Sequence, residues 1–138
     1  MHVERKKRMS DSDKKKLGAV IVTYNRLTLL KEAISCIEVQ EYPFSKVVIV
    51  NNCSTDGTKE YLATLDKEKY IVENMSENLG GAGGFSVGIQ KMLNYDMDWV
   101  LIIDDDAMLA KDYTKQIIDF AEKNENVQAC AGVVKTNH

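Results

Sequence analysis

Residues 99–106 narrow what this chain can become. Trp99-Val100-Leu101-Ile102-Ile103 is an unbroken apolar run, and Asp104-Asp105-Asp106 follows it without a spacer. Five apolar residues in a row read as a strand buried on both faces, the pattern of a parallel sheet covered by helices. In open α/β sheets the carboxyl ends of the strands border the ligand crevice, and the three carboxylates fall at such an end. Neighbouring carboxylates repel: at an effective dielectric of about 20, each pair at ~5 Å costs roughly 3 kcal/mol. A divalent cation removes that cost, and hard cations prefer carboxylate oxygens. A solvated acidic turn accounts for the same residues without a ligand, so the triplet needs support from the rest of the chain.

The rest of the chain repeats the pattern. Residues 17–22 form a first β-rich run that stops at Thr23-Tyr24-Asn25-Arg26. Leu29, Leu30, Ala33, Ile34 and Ile37 recur at helical spacing and predict a helix over 27–40, with Pro43 marking the turn out of it. Residues 47–50 make a second buried strand ending at Asn51-Asn52. Ser54, Thr55 and Asp56 are helix-start residues, ahead of a second helix with Tyr61, Leu62 and Leu65 on its inner stripe. A weaker third strand at 70–72 leads to the glycine-rich segment 78–84. A helix over 83–95 should then face Phe85, Ile89, Met92 and Leu93 inward. After the strand at 98–103, a helix over 111–123 carries Ile117, Ile118 and Phe120, and residues 127–134 read as a last strand. Alternating strands and helices predict an α/β domain with a mainly parallel sheet.

Charge divides the chain in two. Residues 1–16 hold seven Lys/Arg against three acids, a net of +4, which leaves −7 for residues 17–138 of a chain whose total is −3. An acidic domain with 7% aromatic residues argues against nucleic acid as its partner. The basic leader, 1–16, has almost no apolar residues with which to order itself, and reads as a solvated tail. It also offers about 1 kcal/mol per Lys/Arg toward an anionic membrane surface, which makes a peripheral contact the alternative. No apolar stretch reaches the ~20 residues that span a bilayer, and no signal-peptide core is present. Cys36, Cys53 and Cys130 lack zinc-like spacing and are odd in number, so reduced thiols and a cytoplasmic location are expected.

Four polar clusters, 23–26, 51–56, 78–84 and 104–106, stand at the carboxyl ends of successive strands, where a parallel sheet gathers them on one edge. One cluster would be a loop; four on one rim predict a binding cleft. Gly80-Gly81-Ala82-Gly83-Gly84 permits close backbone approach to a ligand and supplies N–H donors at a helix start. A flexible turn with helix–sheet packing is the alternative, plausible for two of these glycines but less so for four. The run is not GxGxxG and lacks the GK[ST] ending of a P-loop, which disfavours a Rossmann dehydrogenase and a P-loop NTPase.

Taken in order, VIVTYNR (20–26), Gln40-Glu41-Tyr42-Pro43, VIVNNCSTDGT (48–58), NLGGAGGF (78–85) and IIDDDA (102–107) resemble the family-two inverting glycosyltransferases of the GT-A fold. The resemblance covers about residues 17–134, and NLGGAGGF looks most like the galactofuranosyltransferase branch, with rhamnosyltransferases nearby. It implies a metal-dependent domain that binds a UDP-sugar for transfer to a glycan or lipid-linked acceptor in cell-envelope polysaccharide synthesis. Asn52 stands where the family usually has an aspartate accepting the uracil N3–H, a role asparagine keeps through its side-chain oxygen. Thr23 and Arg26 would border the uridine or its phosphates, and Asn78 and Gly81 would meet the nucleotide from the glycine segment. Asp104 and Asp106 would be the outer members of a DxD motif holding Mn²⁺ or Mg²⁺, with Asp105 near the ribose or sugar. The cation would neutralise the leaving diphosphate.

Two departures accompany the resemblance. Cys53 replaces a glycine or alanine, and the family's acceptor site, general base and histidine metal ligand lie beyond the point corresponding to His138. Inverting transfer needs a base for the acceptor hydroxyl. Asp112, Asp119 and Glu122 read as the solvated face of the helix over 111–123, so no base is expected here. The chain therefore reads as the donor-binding part of a longer enzyme, inactive alone. A non-catalytic nucleotide-binding module and a dTDP-rhamnose-type transferase are the alternatives. A response-regulator receiver beginning at residue 99 fails on length, and a nucleotidyltransferase would want a glycine- and lysine-rich loop where TYNRLTLL stands.

Overall fold

A computed structural model describes residues 14–130 and 132. Four parallel strands, β1 (Leu17–Thr23), β2 (Lys46–Asn51), β3 (Tyr70–Asn74) and β4 (Trp99–Asp104), form one sheet in the order β3-β2-β1-β4. They alternate with α1 (Leu27–Glu38), α2 (Thr58–Leu62), α3 (Gly80–Met92) and α4 (Tyr113–Lys123). The register sets Thr23 beside Asn51, Asn51 beside Asn74, and Val22 beside Asp104, so the polar strand ends finish level.

Side-chain alternation along β1 divides the core. Leu17, Ala19 and Ile21 face one side with Val47, Ile49 and Ile103, and meet Leu30, Ile34 and Ile37 of α1, Leu62 of α2 and Ile118 of α4. Val20, Val48 and Val50 face the other side and meet Met92 of α3. Central β1 and β2 are buried on both faces, which is why their sequences are near-continuous Val and Ile.

The structure corrects several sequence expectations. β4 is an edge strand: Trp99, Leu101 and Ile103 face the core, but Val100 and Ile102 are 41% and 48% exposed because α3 packs over β1 and β2 instead. The inner stripe of α3 is Gly84, Gly88 and Met92, while Ile89 and Leu93 face outward. A Cβ on Gly84 would sit 2.5 Å from Val22 Cγ1, and one on Gly88 would overlap Val20 Cγ1, so these glycines let the helix lie flush on the sheet. Phe120 of α4 is half exposed, the buried stripe being Thr114, Ile118 and Ala121, and Leu29 of α1 is likewise exposed. Residues 127–130 form no strand, and residues 131, 133 and 134 of the expected last strand lie outside the described residues.

Residues 1–13 of the basic leader also lie outside the described residues, but Lys15 and Lys16 are tied to the domain. The Lys16 N–H donates to Asp98 Oδ2 at 2.7 Å, its carbonyl accepts from the Asp98 and Trp99 N–H groups, and Tyr42 Oη donates to the Lys15 carbonyl. Among the described residues no helix is long and apolar enough to cross a membrane, and all three cysteines are free.

Burial on β4 makes opposite forecasts for neighbours. Ile103→Ala should cost about 2–5 kcal/mol in urea unfolding, and Ile102→Ala far less. Gly88→Ala should destabilise by about 1–3 kcal/mol through overpacking, despite the helix propensity of alanine.

Candidate nucleotide cleft

From β1 the chain crosses through α1 to β2 on one side, and later returns through α3 to β4 on the other. The two helices lie on opposite faces of the sheet. Such a switch in direction opens a crevice at the carboxyl ends of the diverging strands. A cavity of about 250 Å³ lies there, walled by Val22 and Thr23 at the end of β1, Tyr24 and Arg26 after it, Asn52 after β2, Asn78 just before α3, Gly80 and Gly81 at its start, and Asp105 after β4. Six of the residues expected to meet a nucleotide thus converge: Thr23, Arg26, Asn52, Asn78, Gly81 and Asp105.

Asp105 is the buried member of the acidic triplet, at 6% exposure. Its Oδ2 accepts from Thr23 Oγ1 at 2.9 Å and its Oδ1 meets Arg26 Nη1 at 3.3 Å, so both oxygens are satisfied within the protein. The same Nη1 reaches Asp106 Oδ2 at 3.4 Å, and Asp106 is half exposed. Asp104 and Asp106 do not wall the cavity themselves; both side chains are exposed, with Asp104 ending β4 beside Val22. Asp105 therefore braces the strand ends together, while its two neighbours keep oxygens free.

No group of three His, Cys, Asp or Glu side chains placed to hold a metal ion occurs among the described residues. Mg²⁺-like ions commonly take only one or two carboxylates and complete their shell with water and substrate phosphates. Exposed Asp104 and Asp106 fit that donor set, and committed Asp105 does not.

Opposite the carboxylates, Asn52 is buried and its amide Nδ2 donates to the Gly80 carbonyl at 2.9 Å, while Oδ1 accepts a long 3.4 Å contact from the Leu79 N–H. Asn78 Oδ1 accepts from the Gly80 N–H at 2.8 Å, forming a turn that starts α3. Gly80 has φ +74°, a backbone state that favours glycine. A Cβ at Gly80 or Gly81 would meet nothing within 4 Å, because these two residues face open space. Of the glycines at 80, 81, 83 and 84, the first pair faces the cleft and the second packs, Gly83 on Leu79 and Gly84 on β1.

Several residues that position the cleft carry no local sequence signal for that role. As a helix-start residue, Asp56 signals only α2. Its Oδ1 does accept from Thr58 N and Thr58 Oγ1, at 3.2 and 2.6 Å, but its Oδ2 also accepts from the Leu27 N–H at 3.0 Å, at the first residue of α1. Asn25, at φ +49°, accepts from the Thr55 N–H at 2.7 Å, and its own N–H donates to Ser54 Oγ at 3.0 Å. Together these bonds stitch the β1 and β2 loops. Tyr24, half exposed, lines the cavity. Cys53 has φ +64°, which accounts for a preference for glycine at its position. Asp119 and Glu122 are exposed on α4, as expected, whereas Asp112 precedes the helix and accepts from Gln116 Nε2 at 2.5 Å.

A parallel sheet with an asparagine-lined cleft at its switch point is the architecture of an α/β domain of GT-A type. The chain matches glycosyl transferase family 2 over residues 19–138 and belongs to that family. It is 32% identical to a galactofuranosyltransferase of Mycolicibacterium smegmatis over 64% of this chain and 29% of that protein. S. aureus TarS 1–349 in complex with UDP-GlcNAc superposes with a TM-score of 0.70 at 25% identity, covering 80% of this chain and 32% of TarS 1–349. A Pyrobaculum calidifontis mannosyltransferase in complex with GDP-Man and Mn²⁺ superposes at 0.65, also at 25% identity, over 77% and 32% of the two chains. The chain spans between 20% and 35% of the length of the first four curated relatives it matches.

The bond from the Thr58 hydroxyl, with backbone N–H groups in support, holds the Asp56 carboxyl below its ordinary value. A depressed folded-state pKa stabilises the fold above the unfolded aspartate value, about 3.9, and that stability is lost as pH falls through the folded one. Asp56→Ala should cost about 1 kcal/mol at pH 7, as loss of a helix cap does, and the difference from wild type should shrink in acid unfolding titrations as pH falls through the depressed carboxyl value.

Proposed function

We propose that this chain is the donor-binding part of a metal-assisted glycosyltransferase that takes a UDP-sugar, with UDP-galactofuranose the preferred candidate. The observation that carries this reading is the meeting of Asp105, Asn52, Asn78 and the start of α3 in one cavity, in a chain of family 2. The UDP-GlcNAc bound by TarS and the galactofuranosyl activity in the name of the mycobacterial relative support the donor class.

The base would lie against Tyr24, whose exposed ring offers a flat apolar face, with the Asn52 oxygen as acceptor for an imide N–H. Asn78 keeps its amide donors free while its oxygen caps Gly80. The first N–H groups of α3 would meet the diphosphate, since a helix N-terminus favours anions and Gly80 and Gly81 leave room for close approach. Asp104 and Asp106 would hold Mn²⁺ or Mg²⁺, which when bound supplies positive charge to the departing diphosphate. Asp105 joins the strand ends through Thr23 and, in the cavity wall, would lie near the ribose or sugar.

Proton abstraction from an acceptor is assigned to none of the described residues. Asp119 and Glu122 project from α4, Asp112 is engaged by Gln116, and none of them walls the cavity. The acceptor, glycan or lipid-linked, and the general base are assigned to parts of a longer polypeptide. A role at the cytoplasmic face of the membrane, in building cell-envelope polysaccharide, completes the proposal.

Calorimetry tests the site directly. UDP should bind with Mn²⁺ or Mg²⁺ present and not without, and Asp106→Asn should weaken it far more than Asp112→Asn. Equal effects of the two variants, or metal-independent affinity, would remove the metal assignment. Incubated with UDP-sugars and acceptors, the purified chain should transfer no sugar.

A further inference from the structure

Arg26 sits where helix electrostatics disfavour it. It is the N-cap residue of α1, its side chain makes no capping bond, and a cation at a helix N-terminus opposes the positive end of the macrodipole. The capping oxygen for Leu27 comes from Asp56 instead. What holds Arg26 in place is the acidic triplet: one atom, Nη1, lies 3.3 Å from Asp105 Oδ1 and 3.4 Å from Asp106 Oδ2. Those distances exceed the 2.7–2.9 Å typical of strong charge-assisted bonds, so the guanidinium offsets both charges without gripping either. Its side chain is 53% exposed and lines the cavity, the one cationic side chain to do so among the described residues.

We infer that Arg26 is an internal counter-cation that exchanges partners. In the donor-free protein it neutralises Asp106, one of the two carboxylates left open for a divalent ion. When an ion takes Asp106, the guanidinium is displaced and its planar fork turns to the phosphate oxygens of the donor, which it can meet through two parallel N–H bonds. Asp105 gives up the guanidinium at one oxygen in the exchange and keeps its second oxygen bonded to buried Thr23. Arginine and divalent ion thus compete for the carboxylate but cooperate on the diphosphate. Metal alone binds weakly, and metal with nucleotide binds strongly. By linkage, UDP tightens Mn²⁺ by the same factor as Mn²⁺ tightens UDP. This inference rests on the donor-site reading above.

The test measures Mn²⁺ binding by electron paramagnetic resonance and UDP binding by calorimetry, on the full 138-residue chain. Arg26→Met should bind Mn²⁺ alone about two- to fivefold more tightly, the scale of a part-exposed ion pair. It should bind UDP at saturating Mn²⁺ about tenfold or more weakly, as loss of charged hydrogen bonds does. A merely structural role would weaken both. Arg26→Lys keeps the charge without the fork, so its Mn²⁺ affinity should stay near wild type while its UDP affinity falls; it also serves if the methionine variant does not fold. Mn²⁺ affinity that fails to rise in Arg26→Met overturns the exchange, as does Arg26→Lys binding UDP like wild type. Wild-type chain that binds no UDP with Mn²⁺ defeats the donor-site reading itself, a separate outcome.

Discussion

The hydrogen bond from Thr23 Oγ1 to Asp105 Oδ2 joins the two strands between which the sheet reverses direction. A buried carboxylate is costly unless paired and fully bonded, and Asp105 meets both conditions with one hydroxyl and one guanidinium. The middle carboxylate is bonded into the strand ends, and the outer two are exposed. The alternation is geometric: Asp104 and Asp106 are exposed because Asp105 turns inward beneath Thr23 and Arg26.

The wall opposite is built by backbone rather than charge. Gly84 and Gly88 remove the side chains that would keep α3 away from Val20 and Val22, so the helix rests directly on the sheet. The N-terminus of the helix is thereby delivered to the cavity, where Asn52 and Asn78 hold its first residues by their carbonyl and N–H groups. Flush packing over β1 and β2 leaves Val100, Ile102, Ile89 and Leu93 uncovered at the β4 edge. One arrangement produces both the cleft and the exposed apolar edge.

Much of this was legible in the residues. Strand order along the chain, the parallel class and the convergence of four polar clusters followed from where apolar runs stop, because a parallel sheet places all those stops on one edge. Helix faces were less legible. Periodicity assigns Phe85, Ile89, Met92 and Leu93 to the inner face, yet of these only Met92 is fully buried and the rest of the stripe is Gly84 and Gly88, since hydrophobic periodicity gives no weight to a residue whose value lies in having no side chain. Asp56 and Asn25 were invisible for another reason: their partners lie about thirty residues away, and no local pattern encodes a bond of that span.

Sequence alone determined which elements form and which polar residues share the rim, because periodicity and strand termini are local properties. It also carried the family, confirmed over residues 19–138. Tertiary structure decided the rest. It showed that the second carboxylate of the triplet is buried and bonded to Thr23 and Arg26, that β4 lies at an edge, and that two of four glycines pack while two face the cleft. Each of these depends on which atoms approach in space, a quantity set by helix–sheet distance and strand order, neither of which a residue's neighbours in the chain specify.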